Sequence, residues 1–296
     1  MTGILDLIDT KMSSMSKGHK AIARYITESY DKAAYMTASK LAEEAGVSES
    51  TVVRFTMELG FDGYPHFQHV LKEELKSRLT SVQRLNYTER FTDDSTAILD
   101  VMKNDMENLK ETINSIDLNA MSDAVSAILS AKKIYIMGLR SSSPLSSFMH
   151  FYMTLLFDDV IHIHSTSTNE VFEQIMSITS DDVMIGISFP RYSNLTINSM
   201  EYAKSKGAKV VVVTDKDNTA MTQHASVKLF AKTSMASFVD SIAAPLSLIN
   251  ALIVTLGMHR REHILSSFEA LEELWSKYRV FDAGKDRRAS IEEENK

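Results

Sequence analysis

Two apolar runs in the second half of the chain limit its fold more than any other feature. The segments DVMIGIS (182–188) and KVVVVTD (209–215) have apolar residues at consecutive positions, whereas a half-exposed strand alternates apolar and polar residues. Strands of this kind are buried on both faces, which is typical of a parallel sheet covered by helices. Three further short runs are KIYIMG (133–138), VIHIHS (160–165) and SVKLFA (226–231). Helical patterns separate the five runs, so we predict a three-layer α/β domain with a mainly parallel five-stranded sheet over residues 118–262.

The first 80 residues lack strand-like alternation and repeat apolar residues at helical spacing. Ile22 and Ile26 are four residues apart, and Val52, Phe55 and Leu59 follow the same rule. We therefore predict an all-α domain over residues 1–80. With 296 residues, the chain is long enough for two domains.

Connecting and terminal segments account for the rest of the chain. Amphipathic patterns predict helices over residues 66–84 and 96–116, which would join and pack the two domains. The remaining predicted segments are a helical linker (81–117), a C-terminal helix (263–281) and a solvated tail (282–296).

A short stretch of the N-terminal domain, LAEEAGVSESTVVRF (41–55), predicts two helices joined by a tight turn. Gly46 suits the left-handed end of the first helix, and Ser48 suits the N-cap of the second, which ends near Leu59. Two such helices form a helix-turn-helix, whose second helix enters the major groove of DNA. The candidate DNA contacts are Ser48, Glu49, Ser50, Thr51, Arg54 and Tyr64.

The charge of the chain neither requires nor excludes DNA. The net charge is −7, yet residues 1–84 contain 11 basic and 11 acidic residues, so the excess acid lies downstream. Attraction to phosphate would therefore depend on a few placed residues such as Arg54. An αα-hairpin in an ordinary helical domain remains the alternative interpretation.

Two polar loops follow the ends of predicted strands. LRSSSP (139–144) places Ser141, Ser142 and Ser143 before a helix, and FPRYSNLT (189–196) follows Ser188. Backbone N–H groups at a helix start, together with hydroxyls, bind anions. Ligands of open α/β sheets lie beyond the carboxyl ends of the strands, so we expect the loops to meet. The alternative is that these serines only cap helices and form turns.

The composition and motifs exclude several classes of protein. There is no Cys, hence no disulfide, thiolate nucleophile or cysteine zinc site. No apolar run reaches the length of a membrane span, and the N-terminal residues lack a basic start and an apolar block, so we expect a cytoplasmic protein without a membrane partner. No Gly-rich nucleotide loop or HExxH motif is present, and we predict no cofactor and no metal.

A catalytic set is also missing. An aldose–ketose isomerase needs a base beside the carbon that loses its proton. Glu170 and Glu173 are the nearest candidates, but surface helix roles fit them better, and His162 and His164 fit satisfied or exposed strand positions. We therefore predict that the protein is not an enzyme.

The motifs together resemble the RpiR (MurR/RpiR) family of bacterial transcription regulators. The N-terminal resemblance rests on SKGHKAIARYI (16–26) and on LAEEAGVSESTVVRF with the later LGFDGYPHF (59–67). The family often has an acidic residue where this chain has Gly18 or His19. The α/β unit resembles the sugar isomerase (SIS) domain of the same regulators. The resemblance thus implies an all-α helix-turn-helix domain followed by a three-layer α/β SIS domain.

The resemblance also implies a ligand site. SIS domains usually have a Gly-x-Ser segment in the first loop and Ser-x-Ser-Gly-x-Thr in the second, which matches Ser142, Ser188 and Ser193 to hydroxyl positions. Ser241 is a further candidate contact. Arg140 and Arg191 stand where many relatives have Gly, which suggests a more anionic ligand than a simple sugar phosphate. Their alternative roles are solvent exposure or ion pairs at a dimer interface.

The function that follows is a DNA-binding regulator of carbohydrate metabolism, by default a repressor, controlled by a phosphorylated or otherwise anionic sugar. Its partners would be double-stranded operator DNA, the effector and a second copy of the chain in a homodimer or homotetramer. The alternative is a sugar-phosphate isomerase or related enzyme with a helical oligomerisation domain.

Overall fold

The structure of the protein is a computed structural model that describes residues 4–78, 84, 93–235 and 237–281. The N-terminal domain is helical, as predicted. Its helices are α1 (Ile4–Lys11), α2 (Lys17–Glu28), α3 (Tyr30–Ala33), α4 (Ala38–Ala45), α5 (Glu49–Glu58) and α6 (Tyr64–Arg78). Their apolar faces meet in one core, where Ile22, Phe55 and Phe67 are fully buried.

Local sequence explains where the central helices begin and end. Ser16, Thr37 and Ser48 cap α2, α4 and α5, and each side-chain oxygen accepts a hydrogen bond from a backbone N–H in the first turn. Gly46 ends α4 in the left-handed conformation, with φ 66°. The predicted helix-turn-helix is therefore α4, the turn at residues 46–48, and α5.

The second domain alternates strands and helices. Its elements are α8 (Leu118–Leu129), β1 (Ile134–Gly138), α9 (Ser143–Met153), β2 (Val160–Ile163), α10 (Thr168–Ile175), β3 (Val183–Ile187), α11 (Asn194–Ser205), β4 (Lys209–Thr214), β5 (Val227–Phe230) and α12 (Ala243–His259). The strands form one parallel sheet in the order β2-β1-β3-β4-β5. The predicted five-stranded sheet is confirmed, and each predicted strand agrees with the observed one to within two residues.

The sheet is covered on both faces, which explains its uninterrupted apolar strands. Ile134 and Ile136 of β1 pack with α8, α9 and α12 on one face. Tyr135 and Met137 point to the other face, against α10 and α11. Successive side chains of a strand alternate between faces, so a strand buried on both sides needs apolar residues throughout.

The helix α7 (Asp94–Ser115) joins the two domains and lies close to the predicted 96–116. The amides of Asn104 and Asn108 donate to the carbonyl of Ser234 at 2.7 and 3.0 Å, and Thr112 Oγ1 accepts from the backbone N–H of Lys232 at 2.9 Å. The neighbouring Met235 is buried in the N-terminal core. The segment 232–235 of the second domain therefore contacts both α7 and the N-terminal domain.

The C-terminal helix α13 (Arg261–Tyr278) follows α12 and buries none of its residues completely. Leu265 and Leu274 are about half exposed or more. The predicted tail, residues 282–296, lies outside the described residues. Where the structure describes the chain, no helix combines the length and the apolar character that crossing a membrane requires.

Candidate functional sites

The start of α5 carries a cluster of hydroxyls. Ser48 Oγ accepts from the backbone N–H of Thr51 at 3.3 Å and lies 2.9 Å from Ser50 Oγ and 2.8 Å from Thr51 Oγ1. Glu49 and Ser50 are exposed and Thr51 is half-buried. These short polar side chains lie at the surface of the first turn, and their contact with DNA bases stays a prediction.

Arg54 lies one turn further along α5 and is exposed. Its Nε donates to the backbone carbonyl of Ser50 at 3.3 Å, which holds the guanidinium beside the hydroxyl cluster. The opposite side of α5 is apolar and packs inward through Val52, Phe55 and Leu59. The helix thus presents a polar face with one cation to solvent.

The buried face of α5 includes Thr56, because positions 52, 55, 56 and 59 lie on one side of the helix, whereas Val53 is only partly buried. One predicted contact of this region is wrong. Tyr64 was expected to contact DNA but is only 6% exposed. Its hydroxyl donates to the carbonyl of Met36 at 2.6 Å, and burial raises its pKa to about 12. Tyr64 therefore packs in the core and offers a duplex little of its surface.

The two predicted loops of the second domain meet at one pocket. The strands β1 and β3 are neighbours, with Gly138 opposite Ile187, so their carboxyl ends lie side by side. The pocket between the loops has a volume of about 460 Å³. Its lining is Arg84, Leu139, Arg140, Ser141, Ser142, Ser188, Phe189, Pro190, Arg191, Ser193, Phe238 and Asp240.

The first loop leaves β1 by a sharp turn. A Cβ on Gly138 would lie 2.8 Å from the carbonyl oxygen of Ser142, so only glycine fits there. Residues Arg140 to Ser142 form a single 3₁₀ turn before α9, and Ser142 is buried. Arg140 has φ 56°, in the left-handed region that favours glycine. A glycine at this position in relatives would suit the same backbone.

The second loop holds its hydroxyls by backbone contacts. Ser188 Oγ accepts from the N–H of Ser193 at 3.1 Å, and Ser193 Oγ accepts from the N–H of Thr196 at 3.3 Å, capping α11. Each hydroxyl oxygen already accepts one hydrogen bond, so its own O–H is suited to donate to an anion. A serine cap and an anion contact are therefore compatible at the same residue.

The pocket is rich in guanidinium groups. Arg140 and Arg191 both line it, and both are exposed. A third arginine, Arg84, reaches it from the segment after α6 and pairs with Asp240, with Nη1 and Oδ1 2.7 Å apart. Sequence reasoning did not identify Arg84 or Asp240 as site residues. No local motif marks them, since they lie far apart in sequence.

Two predicted ligand contacts are not part of this pocket. Ser143 begins α9 and does not line it. Ser241 follows Asp240 but lines a separate apolar groove beside α7, and its buried Oγ has no hydrogen-bond partner among the described residues. The pocket therefore draws on six of the eight predicted ligand residues and on four segments of the chain.

The candidate catalytic residues lie apart from the pocket. Glu170 and Glu173 are exposed on α10. His162 Nε2 lies 3.1 Å from Ser146 Oγ, and its ring stacks on that of His150 with centroids 4.9 Å apart. Burial lowers the pKa of His162 to about 4. His164 is exposed beyond the end of β2. Of the acidic residues in the described parts of the chain, Asp240 lines the pocket, and a guanidinium already engages it.

Comparison with known proteins agrees with this architecture. The helix-turn-helix domain of the rpiR family matches residues 2–78, and the SIS domain matches residues 127–255. An uncharacterized HTH-type transcriptional regulator of Clostridium perfringens is 28% identical over 73% of this chain and 77% of its own length. The HTH-type transcriptional regulator HexR of Escherichia coli is 28% identical over 71% of this chain and 72% of its own.

A solved structure extends the likeness to most of the chain. The Vibrio vulnificus NanR protein complexed with ManNAc-6P covers 93% of this chain and 98% of its own, with a TM-score of 0.56 and 19% identity. At that identity the likeness concerns the fold. The family matches cover both domains in the order that the sequence predicted, and together they span more than two thirds of the chain. The chain therefore belongs to the RpiR family of HTH-type transcriptional regulators, with an rpiR-type helix-turn-helix domain followed by a SIS domain.

Proposed function

We propose that the protein binds operator DNA through α5 and senses a phosphorylated or otherwise anionic sugar in the pocket between the β1 and β3 loops. The observation that carries the proposal is the pocket itself, where buried Ser142, Ser188 and three arginines surround one cavity. Hydroxyls and backbone N–H groups at helix starts bind phosphate, and guanidinium groups bind phosphate or carboxylate through paired donors.

The charge in the pocket favours a ligand with more than one anionic group. Three arginines and one aspartate line the pocket, so basic side chains outnumber acidic ones there. Arg140 and Arg191 come from different loops, and a ligand with two anionic groups would engage both guanidinium groups. The ManNAc-6P bound to the NanR protein, which shares this fold, is a phosphorylated sugar and agrees with the ligand class.

We propose a non-enzymatic role in carbohydrate metabolism, with repression relieved by the effector. The acid at the pocket, Asp240, is engaged by Arg84 and is poorly placed to act as a general base. The effector would act by favouring one arrangement of the two domains over another. A regulator that binds the chromosome works in the cytoplasm.

The DNA-binding form would be a homodimer or homotetramer. A two-fold dimer presents two recognition helices about 34 Å apart and favours palindromic DNA. Apolar side chains on α7, among them Ile98, Met102 and Met106, are more than half exposed, as are Leu265 and Tyr278 of α13. Faces of this kind mark interaction surfaces, and a second copy is the proposed occupant.

Replacing Arg54 tests the DNA-binding half of the proposal. The Arg54→Ala variant should bind a labelled fragment from upstream of its own gene at least about fivefold more weakly, because a bidentate base contact by arginine contributes about 1–3 kcal/mol. Fluorescence anisotropy at low ionic strength measures this affinity. The control is Arg261→Ala, which removes an exposed arginine from α13.

Two outcomes would contradict the proposal. Equal binding by Arg54→Ala and Arg261→Ala would separate α5 from DNA recognition. Isomerisation of a sugar phosphate by the purified protein, unchanged in Arg54→Ala, would support the enzyme interpretation instead.

A thermal-shift screen of phosphorylated and carboxylated sugars tests the ligand half of the proposal, because a ligand that binds the folded state raises its melting temperature.

A further inference from the structure

One arginine joins the pocket from outside the SIS domain. Arg84 follows the last helix of the N-terminal domain by six residues, yet its side chain is 8% exposed and pairs with Asp240 of the second domain. The pair lines the anion pocket and also a second cavity of about 140 Å³, which His69 of α6 lines from the N-terminal side. Arg84 thus lies where the ligand pocket meets the DNA-binding domain.

The hydrogen bonding of Arg84 is incomplete. Its Nη1 donates to Asp240, but its Nε is buried without a partner among the described residues. A guanidinium has five N–H donors, and a buried donor without an acceptor is unfavourable. An anion in the pocket is the group that would satisfy the remaining donors. Asp240 therefore pairs with a guanidinium group that an anionic ligand could also bind.

Asp240 ends a short segment that contacts the N-terminal domain at its other end. Met235 is buried in the N-terminal core, and Ser234 is held by Asn104 and Asn108 of α7. Only a few residues separate Met235 from Asp240, and Phe238 between them also lines the pocket. Asp240 is therefore linked to a residue of the N-terminal core by only a few residues of the chain.

We propose that Arg84 binds the effector directly and that the effector's anionic group competes with Asp240 for it. The inference rests on the proposed ligand pocket and adds a contact supplied by the interdomain segment. In the ligand-free protein Asp240 holds Arg84. When the effector binds, the Arg84 guanidinium donates to the ligand, the hold of Asp240 weakens, and the segment 235–240 changes its packing against the N-terminal domain.

The experiment uses inorganic phosphate as the probe, titrated into the full-length protein at constant ionic strength. Asp240→Asn removes the competing charge at nearly the same size and should bind phosphate about five- to tenfold more tightly than the wild-type protein. Arg84→Gln should bind phosphate at least about fivefold more weakly than the wild-type protein. Arg84→Lys keeps the charge but loses the planar fork, so its affinity for phosphate should lie between those of Arg84→Gln and the wild-type protein. Arg261→Gln is the matched control and should bind like wild type.

Hydrogen exchange tests the coupling. Phosphate should change the exchange of peptides covering residues 232–240 and α6 in the wild-type protein and in Arg261→Gln, but not in Arg84→Gln. Arg84→Lys keeps the assay informative if Arg84→Gln unfolds, because its ammonium still pairs with Asp240.

The outcomes separate this inference from the proposed function. Phosphate binding by the wild-type protein with no difference among the Arg84 and Asp240 variants would overturn the inference and leave the pocket intact. Weaker binding by Asp240→Asn would also overturn it, because Asp240 would then support the ligand and not compete with it. No binding of phosphate to the wild-type protein at any concentration tested would overturn both.

Discussion

Helix α5 and the pocket between the β1 and β3 loops are built in different ways. The contacts that position the hydroxyls and Arg54 on α5 are local, since Ser48 caps the helix that it begins and Arg54 donates to a carbonyl four residues away. The pocket is assembled from segments near residues 84, 140, 190 and 240. Local rules can therefore predict the helix, but only the chain crossovers of the sheet and the contact between domains create the pocket.

The comparison extends to backbone conformation. In the N-terminal domain the left-handed position at the end of α4 is Gly46, the residue that local rules favour. At the pocket the left-handed position is Arg140, which costs conformational energy that glycine would avoid. This strained arginine is a reason to test whether its side chain contacts a ligand.

The largest expected effect comes from the core beneath α5. Phe55 is fully buried and meets Phe67 edge to face with ring centroids 6.2 Å apart. Phe55→Ala should destabilise the N-terminal domain by about 3–5 kcal/mol through lost burial and a cavity. Urea unfolding followed by circular dichroism measures the change, and DNA binding should be lost with it.

The control for this variant is Met57→Ala, on the same helix but 57% exposed, which should change stability by less than about 0.5 kcal/mol. Phosphate binding by Phe55→Ala should weaken but not disappear, because Arg84 and Met235 link the pocket to the N-terminal domain, while its serines and its other two arginines lie in the SIS domain. Simultaneous loss of both functions would show that the N-terminal core and the pocket unfold as one unit.

A smaller effect concerns pH and His162. Burial, helped by His150 and His164, lowers the pKa of His162 to about 4, against about 6.5 in an unfolded chain. Between pH 6.5 and pH 4, His162 is protonated in the unfolded chain but neutral in the folded chain. The free energy of unfolding is therefore highest above pH 6.5 and falls as the pH drops towards 4. The loss should be about 1–2 kcal/mol, because a half-buried ring is partly screened by water.

Unfolding measured at pH 7, 6, 5 and 4 tests this expectation. His162→Gln should flatten the pH dependence, while His164→Gln, which removes an exposed ring after β2, should leave most of it. The same slope in both variants and the wild-type protein would mean that other groups cause the acid sensitivity.

The smallest effect separates stability from binding at one residue. Arg140→Gly relieves the left-handed strain and should raise stability by up to about 1 kcal/mol. It should also weaken phosphate binding, because it removes a guanidinium from the pocket. Thermal unfolding and a phosphate titration on the same sample measure the two effects.

Arg191→Gly is the matched control for this variant, since Arg191 lines the same pocket but has no left-handed backbone. It should weaken binding and lower stability slightly, because glycine gains freedom in the unfolded chain. If Arg140→Gly lowered stability as much as Arg191→Gly, the strain assigned to Arg140 would be absent.

Sequence patterns predicted much of the fold and less of the pocket. The sheet, its five strands and the helix-turn-helix followed from periodicity and capping, which depend on neighbours in sequence. Tyr64 and Ser241 were misassigned, because a Tyr-Pro turn or a serine at a helix start does not reveal whether its side chain points inward. Arg84 was missed since its partner lies 156 residues away.

The sequence by itself determined the two domain types, the strand and helix positions, and the polar face of α5, because each depends on short-range periodicity and on backbone preferences. The tertiary structure decided which residues line the pocket between the β1 and β3 loops, that Asp240 pairs with Arg84, and that Met235 of the second domain packs in the first core. These contacts depend on how distant segments pack, and packing distances between such segments are not encoded in any local pattern.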